Sequence, residues 1–346
     1  RTIWLADLPL VVGEVQPLQP RSVFQPPFSF VYGGQSSDAL LGSWRLNETF
    51  EKLDAHRVKR TQIYTDPKTL LAVRCESVQY RDFPTVEWTL HFKNTGTADT
   101  PIIESIQPLD TRFERVGDRE FLLHHFVGSP CTAYDYRPLE TTLEPETTKR
   151  IAASGGRPTN SDLPYFNLET GAGGVLVAVG WPGQWAARFV RDAQRHLRIA
   201  AGQELTRLTL HPGEEIRTPL IALQFYRGDW IDAQNTWRRW MWTHNVPRPG
   251  GRMLAPQLAA CSSHQYGEMI HADEASQKMF VDRYLGEGLT LDYWWMDAGW
   301  YWNQHGWPHV GTWEVDTNRF PNGLRAISDY ARAKGVQTIV WFEPER

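Results

Sequence analysis

Asp297 closes the run Leu291-Asp292-Tyr293-Trp294-Trp295-Met296-Asp297, and Ala298-Gly299-Trp300 follow it. An apolar, aromatic run that ends on a carboxylate and then a glycine reads as a buried strand delivering the acid to a cleft at the strand's carboxyl end. Six tryptophans lie in the twenty residues from Trp294 to Trp313, so this carboxylate is ringed by flat apolar faces. A second aliphatic run, Val336-Gln337-Thr338-Ile339-Val340-Trp341-Phe342-Glu343-Pro344-Glu345, ends in the same mixture of indole and carboxylate. Acidic acceptors beside aromatic faces suit a polyhydroxylated ligand, whose hydroxyls need directed acceptors and whose C–H faces are apolar. From the residues alone, Asp297 is either such an acceptor or a cap or arginine partner for the neighbouring segment.

The elements that must position these groups follow from the pattern of the chain. From residue 1 to about 225, short alternating runs such as Thr85-Val86-Glu87-Trp88-Thr89-Leu90-His91-Phe92 are broken by Gly, Pro, Asn and Asp, and runs at 174–181 and 205–211 repeat the pattern. Many short strands with frequent turn signals predict a large antiparallel sandwich. The period changes after Gly228, where Asp229 is placed to cap a helix carrying Trp230, Ile231, Trp237, Trp240 and Met241, and Pro247, Pro249, Gly250 and Gly251 punctuate its end. Beyond this the order is strand (258–262), helix (Met279, Phe280, Arg283, Tyr284), strand (291–297), helix (Leu324, Ile327, Tyr330, Ala331) and strand (336–342), with Pro321 expected at a first helical position and Gly335 at the end of that helix.

The fold class expected is therefore multidomain: an all-β sandwich at 1–228, a helical linker at 229–254, and at 255–346 the first three β/α units of an eight-fold β/α barrel. Three strands cannot close a barrel. The rest of the barrel is expected from a continuation past Arg346 or from a second chain.

The chain has 346 residues, a net charge of −4 and no run of 18 apolar residues. Such a chain offers no basic field for nucleic acid or an anionic membrane surface, and no spanning helix. Cys75, Cys131 and Cys261 are odd in number and far apart, so they read as buried apolar fillers and neither as a disulfide framework nor as a zinc ribbon. No signal-peptide pattern precedes Ile3, and a start at Arg1 is compatible with a lost leader.

The block Asp297-Ala298-Gly299-Trp300, then Gly311-Thr312-Trp313-Glu314-Val315-Asp316-Thr317-Asn318-Arg319-Phe320-Pro321-Asn322-Gly323-Leu324, then Trp341-Phe342-Glu343-Pro344-Glu345 resembles, in order and spacing, the α-galactosidase-like glycoside hydrolases of family 36 in the melibiase clan. Pro27-Phe28-Ser29-Phe30 with Gly33-Gly34-Gln35-Ser36-Ser37 is similar, more loosely, to the early part of the β-sandwich that precedes the barrel in that family. The resemblance implies a retaining exo-α-glycosidase that needs no metal or other cofactor, takes an oligosaccharide or glycoconjugate as substrate and forms homo-oligomers. Its two catalytic aspartates, which in a retaining scheme stand ~5–5.5 Å apart, would lie beyond Arg346. What it implies within these residues is sugar binding, by Asp297 on hydroxyls and by the face of Trp341. The family pattern has a second aspartate where this sequence has Ala298, which shifts the expected substrate toward a galactose derivative such as an N-acetylgalactosaminide or galactosaminide, or the reaction toward glycosyl transfer. A non-catalytic carbohydrate-binding protein is the reading from another class.

Further candidates surround this pair. His264 directly follows the first strand and is either a donor to a sugar hydroxyl or a structural imidazole; Glu343 and Glu345 flank Pro344 and either reach the ligand or brace an arginine. Trp300, Trp302, Trp307 and Trp313 are either stacking subsites or the packed underside of their own loop. His124-His125, His305 and His309 lack metal-ligand spacing, Gly171-Ala172-Gly173-Gly174 precedes a strand and is a turn, not a phosphate cradle, and Asn47-Glu48-Thr49 is a glycosylation sequon to which no function is attached.

Overall fold

The computed structural model describes residues 27–267, 270–303 and 311–343. The chain divides between Val246 and Pro247 into two compact units. In the first, a ten-stranded sheet runs in the spatial order Pro138–Thr142, Leu122–Phe126, Tyr165–Glu169, Gly173–Gly180, Leu220–Arg227, Thr85–Asn94, Leu71–Tyr80, Arg57–Thr65 and Arg45–Lys52, with Glu215–Arg217 also on the Thr85–Asn94 strand. A four-stranded sheet of Thr148–Ala152, Trp185–Arg191, His196–Gln203 and Leu109–Glu114 accompanies it, as does a smaller one built on Ser29–Tyr32 and Ile103–Gln107. The described strand pairs of this unit are antiparallel.

Alternation explains why these segments are strands. Leu71, Val73 and Cys75, then Trp88, Leu90 and Phe92, then Val175, Val177 and Val179, are buried in one shared core with Trp185, Phe189, Leu197 and Ile199, while the intervening residues face the other way. The run at 205–211 behaves differently from its pattern. Leu205 takes a left-handed backbone (φ 56°) and is 93% exposed, which restricts pairing there to Arg207–Leu208. The 171–172 turn is as expected: Gly171 sits at φ 110°, and a Cβ there would stand 1.9 Å from the Val116 carbonyl oxygen, so only glycine fits.

Asp229 caps the helix Trp230–Trp240, its side chain accepting from the amides of Ile231 (2.7 Å) and Asp232 (3.3 Å). Ala233, Trp237 and Trp240 then pack on Tyr80, Leu176, Ala178, Ala222 and Tyr226 of the ten-stranded sheet. Of the three cysteines, only Cys75 is a buried filler, its thiol pushed up to about 12 by burial; Cys131 is exposed and Cys261 half-buried.

The adjacent histidines are structural. His124 is held by Glu169 (2.7 Å) and Glu140 (3.2 Å) and stacks on Trp230 at 4.2 Å. His125 is 3% exposed, its Nε2 lies 3.0 Å from Thr141 Oγ1, and its Nδ1 has no partner. Burial first, then Lys149 and His124, depress its pKa from 6.5 to about 4. Between those two values the unfolded chain binds the extra proton and the folded one does not, so stability is full above pH 6.5 and declines as the pH falls toward about 4. The expected loss attributable to this group is up to about 3 kcal/mol. Urea unfolding across that window checks it: the loss should shrink in His125→Asn, and an unchanged pH slope would remove His125 as its source.

The second unit carries a parallel sheet of Ala259–Ala260, Tyr293–Met296 and Gln337–Val340 in that order. The helix Glu274–Gly286 follows the first strand and Arg325–Ala333 follows the second. Asp273 opens the first helix with a capping box, accepting from Ser276 N at 2.7 Å while its own amide donates to Ser276 Oγ at 3.0 Å. The second helix begins at Arg325, not at Pro321, because Gly323 takes φ 67° and the residues before it form turns; Gly335, at φ 81°, follows its end. Trp294 and Met296 are fully buried against Val281, Ile327 and Ala331, while Trp295 and its register partner Ile339 are each 39% exposed on the opposite face. No helix among the described residues is long and apolar enough to cross a membrane.

Candidate functional site

Residue parity places the site. Tyr293, Trp295 and Asp297 alternate with the buried Trp294 and Met296, so Asp297 leaves the carboxyl end of its strand on the face not covered by the two helices. The same ends of the two neighbouring strands supply Cys261, Ser262, Ser263 and His264 on one side and Trp341, Phe342 and Glu343 on the other.

Asp297 has two hydrogen-bond donors among the described residues. The buried hydroxyl of Ser263 donates to Oδ2 at 2.5 Å and the amide of Ala298 donates to Oδ1 at 2.8 Å. A carboxylate offers about four acceptor positions, so two remain for a ligand. Ser263 is fixed in turn: its hydroxyl lies 3.1 Å from Cys261 Sγ, and its neighbour Ser262 belongs to a buried chain in which Trp294 Nε1 donates to Gln277 Oε1 (3.0 Å) and Gln277 Nε2 donates to Ser262 Oγ (2.9 Å). That chain ties the ends of the first two parallel strands to the helix between them. Replacing Ser263 by alanine should leave the fold intact and weaken binding of any hydroxylated ligand that Asp297 accepts by roughly 3- to 10-fold, the worth of one hydrogen bond that orients a carboxylate. Titration calorimetry against a panel of neutral monosaccharides on parent and Ser263→Ala checks it, with equal affinities as the contrary result.

Trp341 is half-buried; its amide donates to the Met296 carbonyl (3.0 Å), which sets it beside the strand end that carries Asp297. Trp313, at φ 56°, packs at 6.1 Å from Trp341 and 5.6 Å from Phe342. A bulky residue in the left-handed region is strained, and such strain gathers at functional sites. Trp300 is placed under the site, not in it. It is 2% exposed, its indole donates to the Trp341 carbonyl at 3.0 Å, and its ring is enclosed by Tyr301, Trp313 and Phe342, so it offers no face to a ligand.

His264 is exposed in the turn Ser263–Tyr266 and makes no described hydrogen bond, so its neighbour Ser263 is the residue that reaches Asp297. Glu345 lies outside the described residues, as do Trp307, His305 and His309. Ala298 is 4% exposed and adds no acceptor.

Arg319 holds the loop behind Asp297. Its guanidinium donates to Asp316 Oδ2 (2.8 Å) and to the carbonyls of Ala272 (2.9 Å), Gly299 (2.5 Å) and Tyr301 (3.0 Å). Sequence reading missed both Ser263 and Arg319. Position directly after a strand and a position inside the matched block were the only signals for them, and neither says which partner a side chain meets. No cluster of His, Cys, Asp and Glu suited to a metal occurs among the described residues.

Residues 272–346 match the Melibiase family model. The chain is 25% identical over 172 residues to Alpha-galactosidase Mel36A of Lactobacillus acidophilus, covering 49% of this chain and 23% of that protein. It is 24% identical over 229 residues to Alpha-galactosidase 2 of Pediococcus pentosaceus, covering 62% of this chain and 30% of that one. In structure it resembles the GH36 alpha-galactosidase AgaA of Geobacillus stearothermophilus (TM-score 0.68, 14% identity, 92% of this chain and 46% of that one), a variant of which is known in complex with raffinose. The chain thus spans less than half the length of these relatives. What this chain resembles is therefore the α-galactosidase-like glycoside hydrolase family 36: residues 272–346 match its Melibiase model, and the mostly-β sheets ahead of a few β/α units share the fold of roughly the N-terminal half of its members.

Proposed function

We propose that this chain is the sugar-binding N-terminal part of a retaining exo-α-glycosidase that removes terminal α-linked galactose or a galactose derivative, and that its three parallel strands are the first three of a (β/α)8 barrel. The observation that carries the reading is the Asp297 carboxylate at the carboxyl end of a parallel strand, oriented by Ser263 and its own following amide with acceptor positions to spare, and set next to Trp341. Asp297 would accept hydrogen bonds from hydroxyls of the sugar while the Trp341 face covers its C–H surface. The raffinose complex of the Geobacillus enzyme supports α-galactosyl oligosaccharides as the substrate class.

Ala298 favours a second reading within the same fold. A charged acceptor at that position would contribute on the order of 1.5–3 kcal/mol per hydroxyl; its absence favours a substrate with an altered group near that volume or at carbon 2, an N-acetylgalactosaminide or a galactosaminide, or glycosyl transfer. Steady-state kinetics with nitrophenyl α-galactoside and its N-acetylgalactosaminide and galactosaminide counterparts, on protein with a complete barrel, tests both. The highest specificity constant for the plain galactoside supports the first reading and removes the second. Turnover of none of the three, with sugar binding retained, would leave a non-catalytic carbohydrate-binding protein.

A further inference from the structure

The sheet unit holds a cavity of about 350 Å³ between the helix Trp230–Trp240 and the strands Leu122–Phe126, Tyr165–Glu169 and Gly173–Gly180. That volume lies at the small end of the ~300–1,000 Å³ typical of small-molecule sites. Phe126 and Leu176 contribute apolar lining, and Tyr165 and Trp237 meet at 79° with ring centroids 6.1 Å apart, forming a corner of two aromatic planes. Tyr165 is 41% exposed although Asn167, on the same face of its strand, is 1% exposed, and Tyr136 closes the rim from a left-handed backbone (φ 61°) while 58% exposed. A β-substituted residue held in that region is a cost that packing does not repay for so exposed a ring.

The polar groups of the cavity are not tied up by the protein and open onto solvent. The Gln234 side chain is half-buried on the helix face that lines it and has no hydrogen-bond partner among the described residues; the phenol oxygens of Tyr165 and Tyr136 have none either. Burial raises the Tyr165 pKa, so the phenol is a donor at neutral pH. A purely apolar ligand would leave the amide unpaired, and a charged ligand would find no countercharge among the lining side chains. A pyranose satisfies both demands, laying its C–H face on an aromatic plane and offering adjacent hydroxyls that give to and take from one primary amide.

We infer that this cavity is a binding site for a neutral hexose or short neutral oligosaccharide, with Tyr165 and Trp237 as the aromatic platform and Gln234 as the hydroxyl reader. The inference does not depend on the reading of Asp297, and the test keeps the two apart. Binding of glucose, galactose, sucrose, maltose and raffinose is followed by saturation-transfer NMR and calorimetry on the Asp297→Asn protein, and then on the same protein carrying Gln234→Ala or Tyr165→Ala. Gln234 sits on a helix surface where alanine is the better helix former, so that variant folds. The expected result is that at least one sugar still binds the Asp297→Asn protein, and that each second substitution weakens that binding at least tenfold with the circular dichroism unchanged. Two results overturn the inference: no sugar bound by Asp297→Asn at about 20 mM, or residual binding that neither Gln234→Ala nor Tyr165→Ala alters.

Discussion

Under the proposed reading, Asp297→Asn in protein with a complete barrel is expected to lower kcat/KM on an α-galactoside by roughly 30- to 1,000-fold, a loss of about 2–4 kcal/mol of transition-state stabilisation. The exchange keeps the shape of the side chain and one of its two oxygens: the amide oxygen takes the place of Oδ1 and accepts from the Ala298 amide, while the new NH₂ stands where Oδ2 met the Ser263 hydroxyl, which turns to accept from it, so local structure should persist. What changes is charge. A carboxylate accepts at every free position, whereas the amide NH₂ presents donors where sugar hydroxyls also need to donate. The size of the effect therefore separates the two roles open to Asp297: a structural acceptor tolerates the amide, and a sugar acceptor does not. Kinetics together with thermal unfolding decide the matter, since parental kinetics at a parental melting temperature would reduce Asp297 to a structural residue.

Arg319→Ala is expected to destabilise the second unit by about 3–5 kcal/mol, the range for breaking a largely buried, hydrogen-bonded ion pair. Its side chain is 17% exposed and that of Asp316 is 9% exposed, so the carboxylate would be left in a poorly solvated place. Three backbone carbonyls, of Ala272, Gly299 and Tyr301, would lose a charged donor at the same time. Two of them flank Trp300 in the loop that follows Asp297, so part of the damage should appear as a disordered site. Lysine should not rescue, because one ammonium cannot reproduce the planar fork that reaches several acceptors on different segments. Denaturant unfolding followed by tryptophan fluorescence measures the loss, and a shift below about 1 kcal/mol would show that the loop is held by its aromatic packing alone.

The resemblance and the structure agree where the signal is local. Alternating residues such as Trp88, Leu90 and Phe92 announce a strand with one buried face, because side chains in a strand point to opposite sides and only one side meets the core. Asp229 before Trp230 and Ile231 announces a helix start for the same kind of reason, since the cap is made with amides two and three residues away. The run from Tyr293 to Met296 followed by Asp297 located the candidate site through nearest neighbours along one strand.

Long-range partners were legible only in the folded chain. Trp300 and Trp341 are both tryptophans beside a carboxylate in aromatic blocks of the same kind, yet one is 2% exposed and donates to the other's carbonyl, a relation 41 residues apart that no periodicity encodes. Ser263 and Asp297 meet because two parallel strands end side by side, and Arg319 finds the carbonyls of Ala272, Gly299 and Tyr301 because three separate segments converge on it. The cavity at Tyr165, Trp237 and Gln234 likewise exists only where a helix crosses strands that lie some 60 to 110 residues earlier in the chain. By itself, then, the sequence determined the kind of element each segment forms and the strand end where a carboxylate emerges, because these depend on spacing. The tertiary structure alone decided which aromatic rings face a ligand and which donors fix the carboxylate, because those depend on which surfaces compete successfully for burial.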